Sequence, residues 1–277
     1  MFEIIDSEIS VGKCPFCGTQ SFKYKDTARW MFLCYGCQRN VPFEKVEPRL
    51  EKTETHKVSI NFNSILTYCT KVSELPDEHL CKKYVRSRKI PENKFDTLFF
   101  TEQMDKIAPL AGKKMKGGSP KLVLPFFDEE GKLFGLQVRA LDNEQPRYLT
   151  LMFDEKQKKI FGLDNLETNQ PITVVEGPID SLFLKNSLAM AGTDGVPDKY
   201  KTLVTICLDN EPRNKQVVKK MAEYLDDGYT IVIWPERIKQ KDINDMITSG
   251  IDVESVIVEN KFSGIAGKVK LNTWKKI

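Results

Sequence analysis

The chain has 277 residues, 40% of them hydrophobic and 29% charged, with a formal net charge of +3 and a mean hydropathy of −0.38. That length suits one small module plus one or two ordinary domains with real cores. No apolar run approaches the roughly 18 residues that cross a bilayer, and the short acidic N-terminus (residues 1 to 8) is unlike a signal or transit peptide, so no membrane partner is expected and the cytoplasm is the expected compartment. A net charge this small does not by itself establish affinity for nucleic acid.

Residues 1 to 48 hold four of the seven cysteines. Cys14-Pro15-Phe16-Cys17 and Cys34-Tyr35-Gly36-Cys37 are two CxxC pairs separated by sixteen residues. Each pair makes a knuckle that points two thiolates at one tetrahedral ion, and the intervening segment forms the hairpin that brings the knuckles together. In a reducing compartment such spacing means metal rather than disulfides; four soft thiolates make one structural zinc the expected ion, with iron in a rubredoxin-like site as the alternative. A closed four-thiolate site leaves no open position for catalysis, so the function of this β zinc ribbon lies on its surface. There Lys23, Tyr24, Lys25, Arg29, Trp30 and Phe32 set cations beside aromatic rings, the arrangement that stacks unpaired bases, although in so small a module Trp30 and Phe32 can equally pack against the metal site.

Residues 49 to 57 are polar and charged and read as a linker. The segment 58 to 170 has globular texture. Helices are predicted over residues 63 to 72 and 76 to 88, the second stopping before Pro91. Strands are predicted over residues 121 to 127 and 133 to 140, joined by an Asp128-Glu129-Glu130-Gly131 turn. Basic clusters at Lys82/Lys83/Arg86/Arg88/Lys89, Lys113/Lys114/Lys116 and Lys156/Lys158/Lys159 fit either a solvated face or contact with a polyanion.

From residue 171 to 260 the texture becomes α/β. β-branched runs at 172 to 175, 203 to 208 and 229 to 234 alternate with helical stretches at 180 to 186 and 214 to 226, which implies a mainly parallel sheet covered on both faces. Ligands of such sheets gather at the carboxyl ends of the strands. Glu176, Asp209 with Glu211, and Asp242 fall there. Carboxylates converging from several strand ends are what a divalent cation needs for nucleotidyl transfer, whereas any one of them alone is more often a helix cap, and Asp180 reads as a residue of a helix N-terminus. Residues 261 to 277 are read as a C-terminal tail.

Val174-Val175-Glu176-Gly177-Pro178-Ile179-Asp180 followed by Leu208-Asp209-Asn210-Glu211 resembles the Toprim domain of bacterial-type primases, topoisomerases and certain nucleases. Tyr84-Val85-Arg86-Ser87-Arg88-Lys89-Ile90-Pro91, Gly135-Leu136-Gln137-Val138-Arg139, Arg147-Tyr148-Leu149 and Ile160-Phe161-Gly162-Leu163 resemble the segments that precede Toprim in DnaG-type DNA primases. With the ribbon, the resemblance covers nearly the whole chain, and its brevity is most similar to the T-even phage branch. The resemblance implies an α+β catalytic core making short RNA primers on single-stranded DNA from ribonucleoside triphosphates, with a replicative hexameric helicase as partner. It implies that Glu176 takes part in acid–base chemistry or metal binding, that Asp209, with Glu211 and Asp242, holds catalytic magnesium or manganese, and that Arg139, Arg147 and Lys159 lie along the template or nucleotide path; each of these three also fits a structural ion pair. Two positions depart from the family pattern: Glu211 replaces the usual second Asp, and Asn244 stands two residues after Asp242 where many relatives have Asp, leaving Asp245 as a substitute. The competing readings are a Toprim nuclease and a catalytically silent single-strand-binding replisome protein.

Overall fold

The computed structural model describes residues 9–26, 29–34, 36–46, 62–192, 195 and 198–277, and the chain divides into two compact units, Met1–Ile60 and Asn61–Ile277. The linker read at residues 49 to 57 and the side chains of Tyr24 and Lys25 lie outside the described residues.

The first unit is a four-stranded antiparallel sheet of β1 (Ile9–Lys13), β2 (Gln20–Asp26), β3 (Arg29–Cys34) and β4 (Arg39–Pro42), in that order. Its core is small: Cys14, Phe32, Cys34 and Val46, flanked by Cys37, Val41 and Phe43. A core this size needs a staple, and two of its buried residues are metal-type thiols.

The second unit opens with a 3-10 segment at Phe62–Tyr68, β5 (Thr70–Lys71), α1 (Leu80–Ser87), β6 (Phe99–Thr101), α2 (Met104–Ile107), β7 (Lys121–Phe127), β8 (Leu133–Ala140) and β9 (Tyr148–Met152). The five strands form one antiparallel sheet in order β5-β6-β7-β8-β9. The helix predicted over 63 to 72 is instead a 3-10 segment followed by a strand. Its short polar residues compete with the backbone, as Thr67 does by bonding the Ser64 carbonyl, and pairing with β6 takes residues 70 and 71. The helix predicted over 76 to 88 begins later, at Leu80, because His79 caps it: Nδ1 accepts from the Cys81 N–H at 3.2 Å. β7 and β8 match the predicted ranges and are buried almost throughout, so the charged Lys121 (3% exposed) needs its partners Glu144 and Ser119.

The chain continues through β10 (Ile160–Phe161), β11 (Ile172–Val175), α3 (Pro178–Ser181), β12 (Ser187–Met190), β13 (Val204–Cys207), α4 (Lys215–Asp226), β14 (Thr230–Val232), α5 (Ile243–Thr248), α6 (Val253–Glu259), β15 (Lys261–Phe262) and α7 (Gly264–Trp274). The sheet order is β10-β12-β11-β13-β14-β15: four central parallel strands with an antiparallel strand at each edge. One face packs α4 and α7 through Val217, Met221, Leu225, Leu271 and Trp274; the other packs α5 and α6 through Ile243, Met246, Val253 and Ile257. The fold is thus α+β overall with a mainly parallel α/β sheet, as the sequence implies. A third cluster, with Val85, Leu122, Leu124, Ile179 and Leu182, joins α1 and the antiparallel sheet to α3.

Two elements differ from expectation. The helix read over 180 to 186 ends at Ser181, since the Asn186 amide holds the chain to the carbonyls of Glu167 and Pro171 and starts β12. Residues 261 to 277 are not a loose tail. β15 pairs with β14, and Gly267 lets α7 approach α4 so closely that a Cβ there would meet Leu225 at 2.5 Å.

Candidate active site and metal centre

The four predicted thiols of the first unit meet. Their Sγ atoms all lie within 4.8 Å of one another, with Cys14 to Cys37 at 3.8 Å and Cys17 to Cys34 at 3.5 Å. Tetrahedral zinc at about 2.3 Å from each thiolate sets sulfur pairs about 3.8 Å apart, so the donor set and its spacing fit zinc. Thr19 Oγ1 sits 3.0 Å from Cys17 Sγ and 3.2 Å from Cys34 Sγ, in space that exists because residue 36 is glycine: a Cβ there would lie 2.2 Å from that hydroxyl. Burial raises the Cys34 thiol, but the Thr19 hydroxyl and the Cys37 backbone N–H outweigh it and bring it down to about 6.

On this ribbon Trp30 is 40% exposed with Lys23 Nζ 5.1 Å from its ring centroid, and Arg29 is exposed beside it. Phe32 is fully buried and belongs to the core. The structure therefore divides the aromatic residues between surface and packing. Phe16, carrying the Arg39 guanidinium at 3.9 Å, is a further exposed ring.

In the second unit, Glu176 at the end of β11, Asp209 just after β13, and Asp242 at the cap of α5 line one cleft of ≈ 450 Å³. Glu176 Oε1 accepts the Asp209 backbone N–H at 3.1 Å, which locks two strand ends together. Asp242 caps α5 by accepting the Asp245 N–H at 2.7 Å. Asp180, one turn into α3, lines the same cleft. Gly177 makes room for it, since a Cβ there would meet Asp180 Oδ2 at 2.7 Å. Burial and the neighbouring Asp242 push the Asp180 carboxyl up to about 7, and burial with Glu176 and Asp180 pushes Asp209 up to about 7. Carboxylates that resist ionising beside one another form a donor set suited to a hard divalent cation. They converge without closing: among the described residues only the cysteines bring three or more ligand atoms within 4.8 Å. An ion that keeps several waters needs no tighter cage.

Glu211 does not line this cleft. It is held by Lys241 at 3.3 Å, the same ammonium lying 3.8 Å from Asp209, so its longer arm is engaged in an ion pair. Asn244 faces inward, 1% exposed, and Asp245 is exposed outside the cleft. Arg139 stacks on Tyr84 at 4.4 Å and on Tyr148 at 5.3 Å, and its Nε donates to the Tyr148 hydroxyl at 3.0 Å; Tyr148 lines the cleft. Lys159 does not line the cleft but adjoins two residues that do, its carbonyl accepting the Ala191 N–H and its Cδ 3.4 Å from where a Gly192 Cβ would stand. Arg147 is exposed and does not line the cleft. Sequence reasoning missed Asp180, Arg88, Lys220 and Gln137 as lining residues. For Asp180 and Arg88 the signal was present in the quoted motifs, but both also read as ordinary helix-end residues. Among the described residues no helix is long and apolar enough to cross a membrane.

No family model matches the chain. The DNA primase of Enterobacteria phage T4 is 30% identical over 311 aligned residues, which span 96% of this chain and 90% of that one. Among solved structures, a DnaG primase catalytic domain bound to single-stranded DNA superimposes with a TM-score of 0.58 at 16% identity, covering 75% of this chain and 80% of that one. The Aquifex aeolicus primase, with zinc-binding and RNA polymerase domains, gives 0.52 at 18% identity over 87% of this chain and 79% of its own. The E. coli primase catalytic core gives 0.54 at 16% identity over 72% of this chain and 78% of its own. At these identities the structural likeness speaks to the fold.

Proposed function

The chain belongs to the DNA primase family, and from that membership we propose that it builds short RNA primers on single-stranded DNA at the cleft of Glu176, Asp180, Asp209 and Asp242. The observation that carries this assignment is the convergence of four carboxylates from three separate chain segments on one cleft rimmed by Arg88 and Lys220. Primer extension joins a 3′-oxygen to the α-phosphorus of a ribonucleoside triphosphate and releases pyrophosphate. Negative charge grows on both the attacking and leaving oxygens.

Glu176, Asp209 and Asp242 would hold magnesium or manganese, with Asp180 beside them. A bound divalent cation neutralises the leaving pyrophosphate and lowers the pKa of the attacking hydroxyl. The chain's own cations do the rest. Arg88 and Lys220 line the cleft where triphosphate charge enters, and Arg139, positioned beside Tyr84 and by its bond to the Tyr148 hydroxyl, would present its guanidinium to a strand phosphate. Arg147 and Lys159 extend this path. On the ribbon, exposed Arg29 and Trp30 supply the cation and ring that contact unpaired template, which makes the zinc module the part that selects where synthesis starts. The same reading carries a replicative hexameric helicase as partner and the cytoplasm as the place of action.

The test is to incubate the full chain with single-stranded DNA, four ribonucleoside triphosphates (one labelled) and magnesium. Short labelled RNA is the expected product. Cut DNA would make the protein a nuclease, and binding with neither product would make it a silent single-strand-binding protein.

A further inference from the structure

The last seventeen residues are one-sided in charge. Residues 261–277 carry five lysines and no carboxylate, whereas the preceding 260 residues sum to a net charge of −2. This basic end is built into the fold. Leu271 and Trp274 are buried, and the Lys276 N–H donates to the Pro212 carbonyl at 2.8 Å, fastening the end of the chain to the loop that begins with Asp209.

Beside that junction lies a groove of ≈ 380 Å³ formed by the loop after β13, the loop after β14 and the last turns of α7. Arg213, Lys239, Lys270 and Lys276 line it against a single carboxylate, Glu236, which Lys276 takes at 3.6 Å. Among the described residues Arg213, Lys239 and Lys270 have no carboxylate within ion-pair distance. Scattered surface lysines are common and need no ligand. Here, however, cations from three separate segments meet in one concavity whose floor is the buried rings of Trp234 and Trp274, and a concave low-dielectric floor focuses their field outward.

The groove is also coupled to the acidic cleft. Asp209 lines the cleft, and its neighbour Asn210 lines the groove while its amide donates to the carbonyls of Ile238 and Gln240, both at 3.0 Å. One rigid loop therefore borders both. Because the two tryptophans are buried, no ring is offered for base stacking, so the chemistry suits phosphates and not base edges.

We propose that this groove binds the sugar-phosphate backbone of a nucleic-acid strand continuing beyond the acidic cleft, a second and sequence-independent phosphate site that rests on the primase reading. The test compares the full native chain with the triple variant Arg213→Gln/Lys239→Gln/Lys270→Gln, measuring anisotropy of a fluorescein-labelled single-stranded oligonucleotide across a salt series. Each phosphate neutralised on a single strand contributes about 0.7 to the slope of log affinity against log salt. The triple variant is expected to lose about 2 from that slope and about tenfold or more in low-salt affinity. The charge-preserving variant Arg213→Lys/Lys239→Arg/Lys270→Arg should keep both, and equal melting temperatures show that the fold survives. Unchanged slope and affinity in the triple variant overturn the proposal. So does unchanged strand binding with a raised KM for ribonucleoside triphosphates, which would make the groove a site for free polyphosphate. A native chain that neither binds the oligonucleotide nor makes primers overturns the primase reading itself, a result visible before any variant is compared.

Discussion

The backbone N–H of Asn244 donates to Oδ1 of Asp180 at 2.9 Å, while the Asn244 side-chain amide donates to the Arg88 carbonyl at 2.6 Å. One residue thus clasps the first turn of α5, the acid of α3 and the end of α1 around the cleft. The residue two after Asp242 is thus a structural amide, and in the proposed function the carboxylates that would hold the metal are Glu176, Asp209 and Asp242, with Asp180 beside them.

Replacing this amide by a carboxylate should therefore harm the protein. Asn244→Asp removes the donor to Arg88 and buries a third negative charge beside Asp180 and Asp242. It should cost on the order of 3 kcal/mol, more at pH 8 than at pH 5, where protonation relieves the repulsion. Thermal unfolding at the two pH values reads this, and a variant as stable as the native chain would remove the clasp from the account.

Glu211 and Asp180 should exchange the ranks that motif reading assigns them. Asp180→Asn keeps a hydrogen-bond acceptor for Asn244 but removes a charge from the cleft, and should lower kcat/KM for ribonucleotide incorporation on the order of a hundredfold. Glu211→Gln loosens the Lys241 pair while its amide oxygen can still accept from Asn214 Nδ2, and incorporation should fall by less than about tenfold, the range of a partly exposed ion pair. Steady-state incorporation kinetics compare them.

The cleft should make stability depend on pH in a direction that magnesium reverses. Asp180 and Asp209 are held at about 7 in the folded chain against an ordinary value of 3.8. Between these values the folded state keeps more protons than the unfolded one, so stability falls as pH rises through that window and is flat above it. Metal-free protein should melt lower at pH 8 than at pH 5. Magnesium should raise the melting temperature more at pH 8 than at pH 5, because it binds the ionised carboxylates. Differential scanning calorimetry with and without magnesium checks both.

Much of the fold was legible because its signals are local. β7, β8 and β11 are apolar runs bounded by turn residues, and the predicted ranges match the observed strands. The CxxC pairs are likewise a spacing signal, and the four thiols do meet. What stayed hidden depends on distant partners. Asp180 looked like a helix-start residue because its surroundings come from Asn244, 64 positions away, and Asn244 in turn reaches Arg88 across 156 positions. α7 was missed since only Gly267, Leu271 and Trp274 are buried in a lysine-rich stretch, and only their packing with α4 makes it a helix of the core.

Zinc should be essential to the first unit. Cys34→Ser removes a buried ligand from a core of four fully buried side chains, so bound zinc, measured by atomic absorption, should drop from one equivalent to none. Thr19→Val should retain zinc but lower its affinity, by about 10- to 100-fold, as loss of a hydrogen bond to metal-bound thiolates does. Competition against a chromogenic chelator reads the difference.

Chemistry at the Glu176–Asp209 cleft is the feature on which primer synthesis depends most directly. Primer synthesis on single-stranded DNA should be measured for the native chain, Glu176→Gln and Asp209→Asn, alongside their zinc content and oligonucleotide affinity. Loss of labelled RNA in both variants with zinc and strand binding kept is the predicted result. Synthesis at the native rate by Asp209→Asn would contradict the assignment of the cleft as the active site.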